Sequence, residues 1–179
     1  MVRPRLFPEV LIGQALWVGR SMKRLLKFLH EVSTVGIMGA LVAQLILSAY
    51  ARGLAAHDQA VVRAGILLLS EWLLLPSLAV VLVSGVFAIA IHRPFHNAGW
   101  AWVKALLGVA MLEGTLGGVQ GTAREAAAIT KKIAEGHAEP GLLEPVLRHE
   151  AGGLWVILAL SVINIALAIW RPKLSIKIR

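Results

Sequence analysis

The sequence predicts an all-α polytopic membrane protein, a four-transmembrane-helix up-down bundle with an N-terminal interfacial helix. Of its 179 residues, 58% are hydrophobic and only 16% are charged, whereas a soluble domain is about half apolar and about a quarter charged. Four apolar stretches are close to or longer than the roughly 20 residues that a helix needs to cross a bilayer. Basic residues concentrate in alternate connections, as they do in polytopic membrane proteins.

Residues 1–21 mix apolar and basic side chains and are predicted to form the interfacial helix. Phe7, Leu11 and Trp17 are interspersed with Arg3 and Arg20, so the stretch is too short and too interrupted to span a bilayer. A helix of this kind lies in the interface between water and lipid. No small-residue cleavage site follows a compact apolar core, which argues against a signal peptide. Residues 22–179 then form one four-helix transmembrane domain.

The first span is predicted at residues 25–50, and one of its faces carries polar side chains. Residues three or four positions apart share a face of a helix, and a polar face should point into the bundle because polar groups are costly in lipid. Gly36/Ala40 and Gly39/Ala43 have the four-residue spacing that lets helices approach closely. The polar face consists of His30, Thr34, Ile37, Leu41, Gln44 and Ser48.

The second span is predicted at residues 61–91, in a helix that begins near Gln59 and is longer than a bilayer requires. Pro76 should kink this helix, because proline lacks an N–H and clashes with a carbonyl one turn earlier. A polar residue recurs every seven positions, which predicts a seam that packs against a neighbouring helix. The seam consists of Arg63, Ser70, Ser77 and Ser84.

The third and fourth spans are predicted at residues 99–119 and 151–170. The corner before the third span is short, so the second and third helices should be antiparallel neighbours. The third helix is expected to continue as a polar helix to about Glu135. A loop should follow, because glycine and proline punctuate the next stretch at Gly136, Pro140, Gly141 and Pro145. Small residues for close packing in the third helix are Ala110, Gly114 and Gly118.

The distribution of basic residues predicts the orientation of the bundle. The positive-inside rule assigns the more basic side to the cytoplasm, so both termini are expected there, in a bacterial inner (cytoplasmic) membrane. Bases on that side should also contact anionic lipids. The opposite side, which includes Arg63 and Glu150, has more acids than bases. The cytoplasmic bases are Arg3, Arg5, Arg20, Lys23, Arg24, Lys27, Arg93, Arg171, Lys173, Lys177 and Arg179.

The composition and the motifs exclude several classes of function. The chain has no cysteine, which rules out disulfides, thiolate metal sites and cysteine nucleophiles. Glycines such as Gly114 and Gly118 follow no predicted strand, so they serve packing and not a phosphate loop. The histidines and acids from Glu135 to Glu150 lack the spacing of a metal site, and none is predicted. The net charge of +8 is explained by lipid contact, so no nucleic-acid partner is predicted.

Three ionisable side chains inside the spans are candidates for chemistry, because inserting each costs roughly 2.5–3.5 kcal/mol. His30 and Lys104 lie about one turn inside the cytoplasmic boundary, whereas Glu113 lies deeper. Lys104 and Glu113 are nine positions apart, so they point to opposite faces of the helix. Glu113 matches the depth of Gln44 and is predicted to be a buried acid, hydrogen-bonded or protonated. The alternative for Glu113 is a purely structural polar contact.

His30 and Lys104 share a depth, and Thr34 and Asn164 are within reach of them if the helices pack suitably. The alternative for Lys104 is that its ammonium group reaches the headgroups by snorkelling. The alternative for His30 is a simple interfacial or interhelical hydrogen bond. A haem held by two histidines would need both at one depth on facing helices. The inner candidates to pair with His30 are His92 and His96.

Three short motifs carry a resemblance to known proteins. They are Lys27-Phe28-Leu29-His30, the kinked stretch from Pro76 to Gly85, and Gly99-Trp100-Ala101-Trp102-Val103-Lys104. With these motifs the chain resembles a family of small bacterial integral membrane proteins of uncharacterised function. More distantly, it resembles copper-resistance protein D and the HemJ-type protoporphyrinogen oxidases. The resemblance covers about residues 22–119, and Trp170-Arg171-Pro172 is a weaker match.

In the HemJ-type enzymes a first-span histidine and a third-span lysine are functional, and a haem is associated. By position, the resemblance implies such roles for His30 and Lys104 and makes haem b the cofactor to expect. The chain departs from the pattern at Trp102, where such proteins have a histidine, and it lacks their later histidine in the third helix. The resemblance therefore indicates the fold and the position of a site.

Three classes of function remain open. In the first, the protein is a haem- or porphyrin-associated redox protein, in which Lys104 holds a propionate or a similar anion at the inner leaflet and His30 acts as an axial ligand or proton carrier. In the second, it is a non-catalytic accessory or structural subunit that packs against partner membrane proteins or copies of itself. Transport of a solute or of copper is a third class, supported only by the distant resemblance.

Overall fold

The computed structural model describes residues 7–91, 93–96 and 98–172. Nearly all of these residues are helical, and no β-strand occurs among them. Four helices in this part of the chain are long and apolar enough to cross a membrane, which confirms the predicted fold class. We name them α1 (Phe7–Ala51), α2 (Ala56–Ile91), α3 (Gly99–Ala134) and α4 (Leu143–Trp170).

The helix α1 runs without a break from Phe7 to Ala51, whereas the sequence predicts a separate interfacial helix over residues 1–21. There is no proline between Glu9 and Ala51, so no residue in this stretch removes a backbone hydrogen bond and interrupts the helix. The apolar part of α1 is Ser21–Ala51, close to the predicted span. Residues 1–6 lie outside the described part of the chain.

The helices α1 and α2 pack antiparallel along the two faces that the sequence predicts. His30 Nδ1 lies 2.9 Å from Ser84 Oγ, and Arg63 Nη1 lies 3.1 Å from Ser48 Oγ. The first contact marks the corner end of the bundle, beside the short helical turn Arg93–His96. The second marks the loop end, where α1 connects to α2 and α3 connects to α4.

Small residues set the distance between α1 and α2. A Cβ at Gly36 would lie 2.5 Å from Ser77 Oγ, so a side chain there would force at least the Ser77 hydroxyl to move. Ala40, one turn further along, is fully buried. Gly39 and Ala43 instead line a groove on the outside of the bundle. The first predicted small-residue pair therefore packs within the bundle, and the second faces outward.

The helix α2 contains a π-helical segment, Ser70–Leu74, which ends two residues before Pro76. The ring of a proline clashes with the carbonyl four positions earlier, which here belongs to Trp72, and the proline nitrogen has no hydrogen to donate to that carbonyl. A π-helical turn is wider than an α-helical one and is a known site of helix distortion. The helix distortion predicted at Pro76 therefore occurs as a π-helical segment.

The helix α3 contains a second π-helical segment, Thr115–Gly121, in which three of the seven residues are glycine. Within it, the Gly118 carbonyl oxygen would lie 2.9 Å from a Cβ at Gly153 of α4. This is a backbone-to-backbone approach that only glycine permits at Gly153. The close packing predicted for the small residues of α3 is thereby confirmed for Gly118.

At the loop end, α3 continues to Ala134, as the sequence predicts. The fourth helix begins earlier than predicted, at Leu143, so part of the expected loop is helical. Pro145 lies in its first turn, where a backbone N–H would have no intrahelical partner and its loss costs little. The end of α3 and the start of α4 pack together through Ala126, Leu143 and Leu147.

The centre of the bundle is apolar and receives residues from all four long helices. The polar face predicted for α1 points into it at Leu41 and Gln44, which are fully buried. This core separates the corner end from the loop end. Its buried members are Ile37, Ala40, Leu41, Leu74, Leu78, Met111, Val119, Leu154 and Ile157.

Candidate functional site

A cavity of about 560 Å³ lies at the corner end of the bundle. Its volume is within the ~300–1,000 Å³ range of small-molecule pockets. All four long helices contribute to its wall, which is mostly apolar. His30, Lys104 and Asn164 all line it. The structure therefore brings three of the predicted binding residues to one cavity.

The hydrogen bonds around His30 define which of its ring nitrogens is free. Ser84 Oγ lies 3.1 Å from the Val81 carbonyl oxygen, which can only accept, so the hydroxyl donates its single hydrogen there. The same hydroxyl then accepts a hydrogen bond from His30 Nδ1, 2.9 Å away. This network assigns the proton of neutral His30 to Nδ1. Its Nε2 therefore carries a lone pair that can bind a metal or accept a proton.

Lys104 is half-buried and is held by Asn164 of α4. Its ammonium group donates to the Asn164 carbonyl oxygen at 2.6 Å and also to the side-chain Oδ1 of Asn164. Both acceptors are neutral, so they leave the positive charge uncompensated. An ammonium group has three N–H donors, so one remains for a ligand. The side chain is thus anchored in the cavity wall, which is not the snorkelling arrangement.

The charges around the cavity are predominantly positive. Lys23, Lys27 and Arg171 line it together with Lys104, and Glu31 is the acid among the lining residues. Among the described residues, no carboxylate forms an ion pair with Lys104. A cleft with low-dielectric walls and one sign of charge attracts ligands of the opposite sign. The cavity is therefore suited to an anion with a large apolar body.

An aromatic and cationic layer forms one side of the cavity at the end of α4. The Arg171 guanidinium lies 5.6 Å from the centre of the Trp100 ring, and Phe95 packs edge-on against Trp100 at 5.3 Å between ring centres. Arg171 has a left-handed backbone with φ of 42°, which costs a residue with a Cβ about 1–2 kcal/mol. The cation–π contact, worth about 0.5–1 kcal/mol at an exposed site, offsets part of this cost.

Thr34 does not line this cavity. Its hydroxyl donates to the His30 carbonyl oxygen of its own helix at 2.8 Å. The residue lines the outer groove that also contains Gly39 and Ile165. The structure thus separates Thr34 from the three residues with which the sequence grouped it.

Glu113 is exposed on the outer surface of α3, so the prediction of a buried acid at this position is wrong. The helix presents Leu106, Val109 and Leu116 on the same exposed face. Gln44, whose depth suggested a shared site, is instead fully buried. A match in depth does not fix the direction of a side chain, because the rotation of α3 about its own axis also matters.

The structure does not place His96, the described candidate for a second haem ligand, at the cavity that His30 lines. His96 is exposed and its Nε2 lies 3.2 Å from the Ala90 carbonyl oxygen, to which it donates. His96 does not line the cavity, and His92 lies outside the described residues. In the part of the chain that the structure describes, no group of three or more histidines or acids is arranged to hold a metal ion.

A buried ion pair at the loop end is the main feature that the sequence analysis missed. Arg63 Nη1 lies 2.6 Å from Glu150 Oε2, and both side chains are fully buried. Ser48 contacts both partners, at 3.1 Å from Arg63 Nη1 and 3.2 Å from Glu150 Oε2. The sequence analysis counted both charges on the side opposite the cytoplasmic bases but did not predict that they pair in a buried position. The seven-residue seam that includes Arg63 was the sequence pattern that indicated an inward-facing position for this residue.

Comparison of the chain with protein-family models, with curated proteins and with solved structures gave no match.

Proposed function

We propose that this protein is a membrane redox protein that binds haem b or a related porphyrin in the corner-end cavity. The observation that carries the proposal is that one mostly apolar cavity is lined both by His30, whose Nε2 is free, and by Lys104, whose ammonium group is uncompensated. A porphyrin combines a large apolar ring with carboxylates at one edge. The two kinds of group in the wall match these two parts of the ligand.

Lys104 would hold a propionate through its remaining N–H. Asn164 fixes the ammonium group from two directions, so little side-chain freedom is lost when an anion binds. Lys23 and Lys27 would attract the anion toward the cavity. In this arrangement Lys104 sets the orientation of the ligand, and the more exposed bases raise its association rate.

His30 would provide a nitrogen that holds the iron of an iron porphyrin. A histidine that binds a metal through one nitrogen usually donates a hydrogen bond from the other, and His30 Nδ1 has this bond to Ser84. The residues of the cavity therefore fit the group. When bound, the haem would supply one-electron chemistry. For a metal-free porphyrin, the same Nε2 would accept a proton.

The proposal places the corner end at the cytoplasmic side of a bacterial inner membrane. Lys23, Lys27 and Arg171 lie at this end, and the positive-inside rule assigns such an end to the cytoplasm. A tag that reports its side of the membrane, fused after residue 179, tests the orientation. Activity of the tag on the outer side would contradict it.

The test of the function is the absorption spectrum of the purified protein. The protein is expressed with haem supplied, purified in mild detergent, and its reduced-minus-oxidised spectrum is recorded. We expect a b-type spectrum that H30A abolishes and that K104M weakens. H96A is the matched control, since His96 lies at the same end outside the cavity wall. A colourless wild-type protein would refute the haem assignment, and titration with metal-free protoporphyrin would then test the porphyrin alternative.

A second candidate function, a non-catalytic subunit of a larger complex, is favoured by Glu113. This carboxyl group is exposed on an apolar face in the third span, where an acid facing lipid is costly and usually has a partner. A basic or hydrogen-bonding residue on a partner helix would provide one. Loss of a co-purifying protein in E113L, with the spectrum unchanged, would support this function. No change in co-purification would count against it.

A further inference from the structure

Several buried polar atoms within and beside the apolar core have no hydrogen-bond partner among the described residues. Gln44, Ser70 and Thr115 are fully buried, and both amide atoms of Gln44 and both hydroxyls are unpartnered. Arg63 Nε and Glu150 Oε1 are also unpartnered. A buried polar group without a partner is costly, so a group of five such residues requires an explanation.

The positions of Gln44 and Ser70 along their helices place them at a similar depth. The antiparallel contacts Gly36–Ser77 and Ser48–Arg63 join α1 to α2 on either side of these two residues. Gln44 is also one helical turn from Ser48, on the same face. The unpartnered amide therefore lies next to the ion pair and across from the unpartnered Ser70 hydroxyl.

The hydroxyls of Ser70 and Thr115 differ in their hydrogen bonding from three other buried hydroxyls in the described part of the chain. Thr122, Thr130 and Ser161 donate to carbonyls four positions earlier in their own helices, at 2.6, 2.7 and 2.8 Å respectively. Ser70 and Thr115 make no such bond, and each is the first residue of a π-helical segment. Segments of this kind occur frequently at functional sites. The two π-helical segments also pack against each other.

The chemistry of the unpartnered atoms identifies the ligand class. The set contains donors, in the Gln44 amide nitrogen and Arg63 Nε, and acceptors, in the Gln44 amide oxygen and Glu150 Oε1. Arg63 and Glu150 neutralise each other, so neither a cation nor an anion is favoured by net charge. Water both donates and accepts, and a buried water typically bonds about three polar groups.

We propose that Gln44, Ser70, Thr115 and the Arg63–Glu150 pair form an internal hydration site that holds ordered water. Leu41, about one turn before Gln44, and Leu74, about one turn after Ser70, belong to the buried apolar core. Leu147, about one turn before Glu150, packs with Ala126 and Leu143. The water is thus part of the folded structure and is separate from the cavity at His30.

The first test is a structure of the full chain at a resolution that shows ordered water. Water within hydrogen-bond distance of the Gln44 amide and of Glu150 Oε1 supports the proposal. Direct bonds between these side chains without water overturn it. An ion in the site, identified by anomalous scattering after replacement of chloride by bromide or of sodium by rubidium, also overturns it.

The second test uses the sign of a stability change. Q44M replaces the amide with an apolar group of similar length. If water bridges the site, Q44M leaves the water and its other partners with fewer bonds, and Tm in detergent should fall by roughly 3 °C or more. If the site is dry, removing an unpartnered amide should leave Tm unchanged or raise it, which overturns the proposal.

S70A should act in the same direction as Q44M and to a smaller extent. S161A is the matched control, because Ser161 is also a buried serine but donates its hydroxyl hydrogen within its own helix. We expect Tm of S161A to fall less than that of S70A. An equal or greater fall for S161A would overturn the assignment of Ser70 to the site.

Discussion

The corner end and the loop end of the bundle both contain charged side chains within apolar helices, but they compensate these charges in different ways. At the corner end, Lys104 bonds only to neutral oxygens of Asn164 and faces a cavity. At the loop end, Arg63 is paired with Glu150 and both are sealed from solvent. An uncompensated charge beside a cavity indicates a ligand site, whereas a compensated charge without access indicates a structural role.

Because of this contrast, mutations at the two ends should change the free energy of unfolding by different amounts. A buried charge whose partner is removed stays desolvated and unpaired, so the fold loses several kcal/mol. A charge next to a cavity can be solvated when its ligand is absent. Removing such a charge should therefore lower the stability of the fold less and the affinity for the ligand more. Four predictions follow this contrast, from the largest expected effect to the smallest.

E150A should cause the largest loss of stability. It leaves the Arg63 guanidinium buried without a counter-charge, which costs about 3–5 kcal/mol. Equilibrium unfolding in detergent measures the loss. E144A is the control, because the Glu144–Arg148 pair is exposed and its atoms are 3.8 Å apart, so its loss should stay below about 1 kcal/mol. Equal losses for the two variants would contradict a structural role for the buried pair.

G153A should have the next largest effect. The added Cβ would lie 2.9 Å from the Gly118 carbonyl oxygen, and backbone cannot move aside as a side chain can. We expect a loss of about 1–3 kcal/mol, as for other overpacked positions. Gly152 is the control, since nothing among the described residues lies within 4 Å of its Cβ position. G152A should therefore be neutral or stabilising, and a loss equal to that of G153A would refute the close contact.

K104M should act mainly on ligand binding. We expect the affinity for haem b to fall about tenfold or more, which corresponds to about 1.4 kcal/mol, while Tm falls less than in E150A. Titration of the purified protein with haem, followed by absorption, measures the affinity. K131M, at the loop end of α3, should bind haem like the wild type. If K104M affects stability as strongly as E150A, the two ends do not differ in the way described.

G39A should give the smallest effect, and a favourable one. Gly39 lies on the outer groove, away from both charged regions, and its Cβ position meets no atom of the described residues within 4 Å. Alanine is better than glycine inside a helix by about 0.5–1 kcal/mol, so Tm should rise slightly. A fall in Tm would mean that this groove is already occupied, for example by a second copy of the chain.

Much of the candidate site could be predicted from the sequence, but not all of it. The depth of His30 and Lys104 follows from their distance to the ends of the apolar runs, and the structure places both in one cavity with Asn164. The separation of Thr34 from them and the exposure of Glu113 could not be predicted. These depend on how each helix is rotated about its axis, which no helix specifies alone.

The sequence by itself determined the fold class, the packing faces of α1 and α2 and the extension of α3. These are set by local properties: the length of each apolar run, the period of its polar residues, and the distribution of glycine and proline. The seam from Arg63 to Ser84 packs against a neighbouring helix, as predicted, and this helix is α1, which it contacts at Ser48, Gly36 and His30.

Only the tertiary structure decided the partners across helices. Arg63 and Glu150 are 87 residues apart, and each alone resembles a solvated charge near the end of a span. Their pairing exists because α1, α2 and α4 meet at one depth, where Ser48 contacts both. Charges far apart in sequence carry no local pattern that marks them as a pair, because their attraction depends on distance in space.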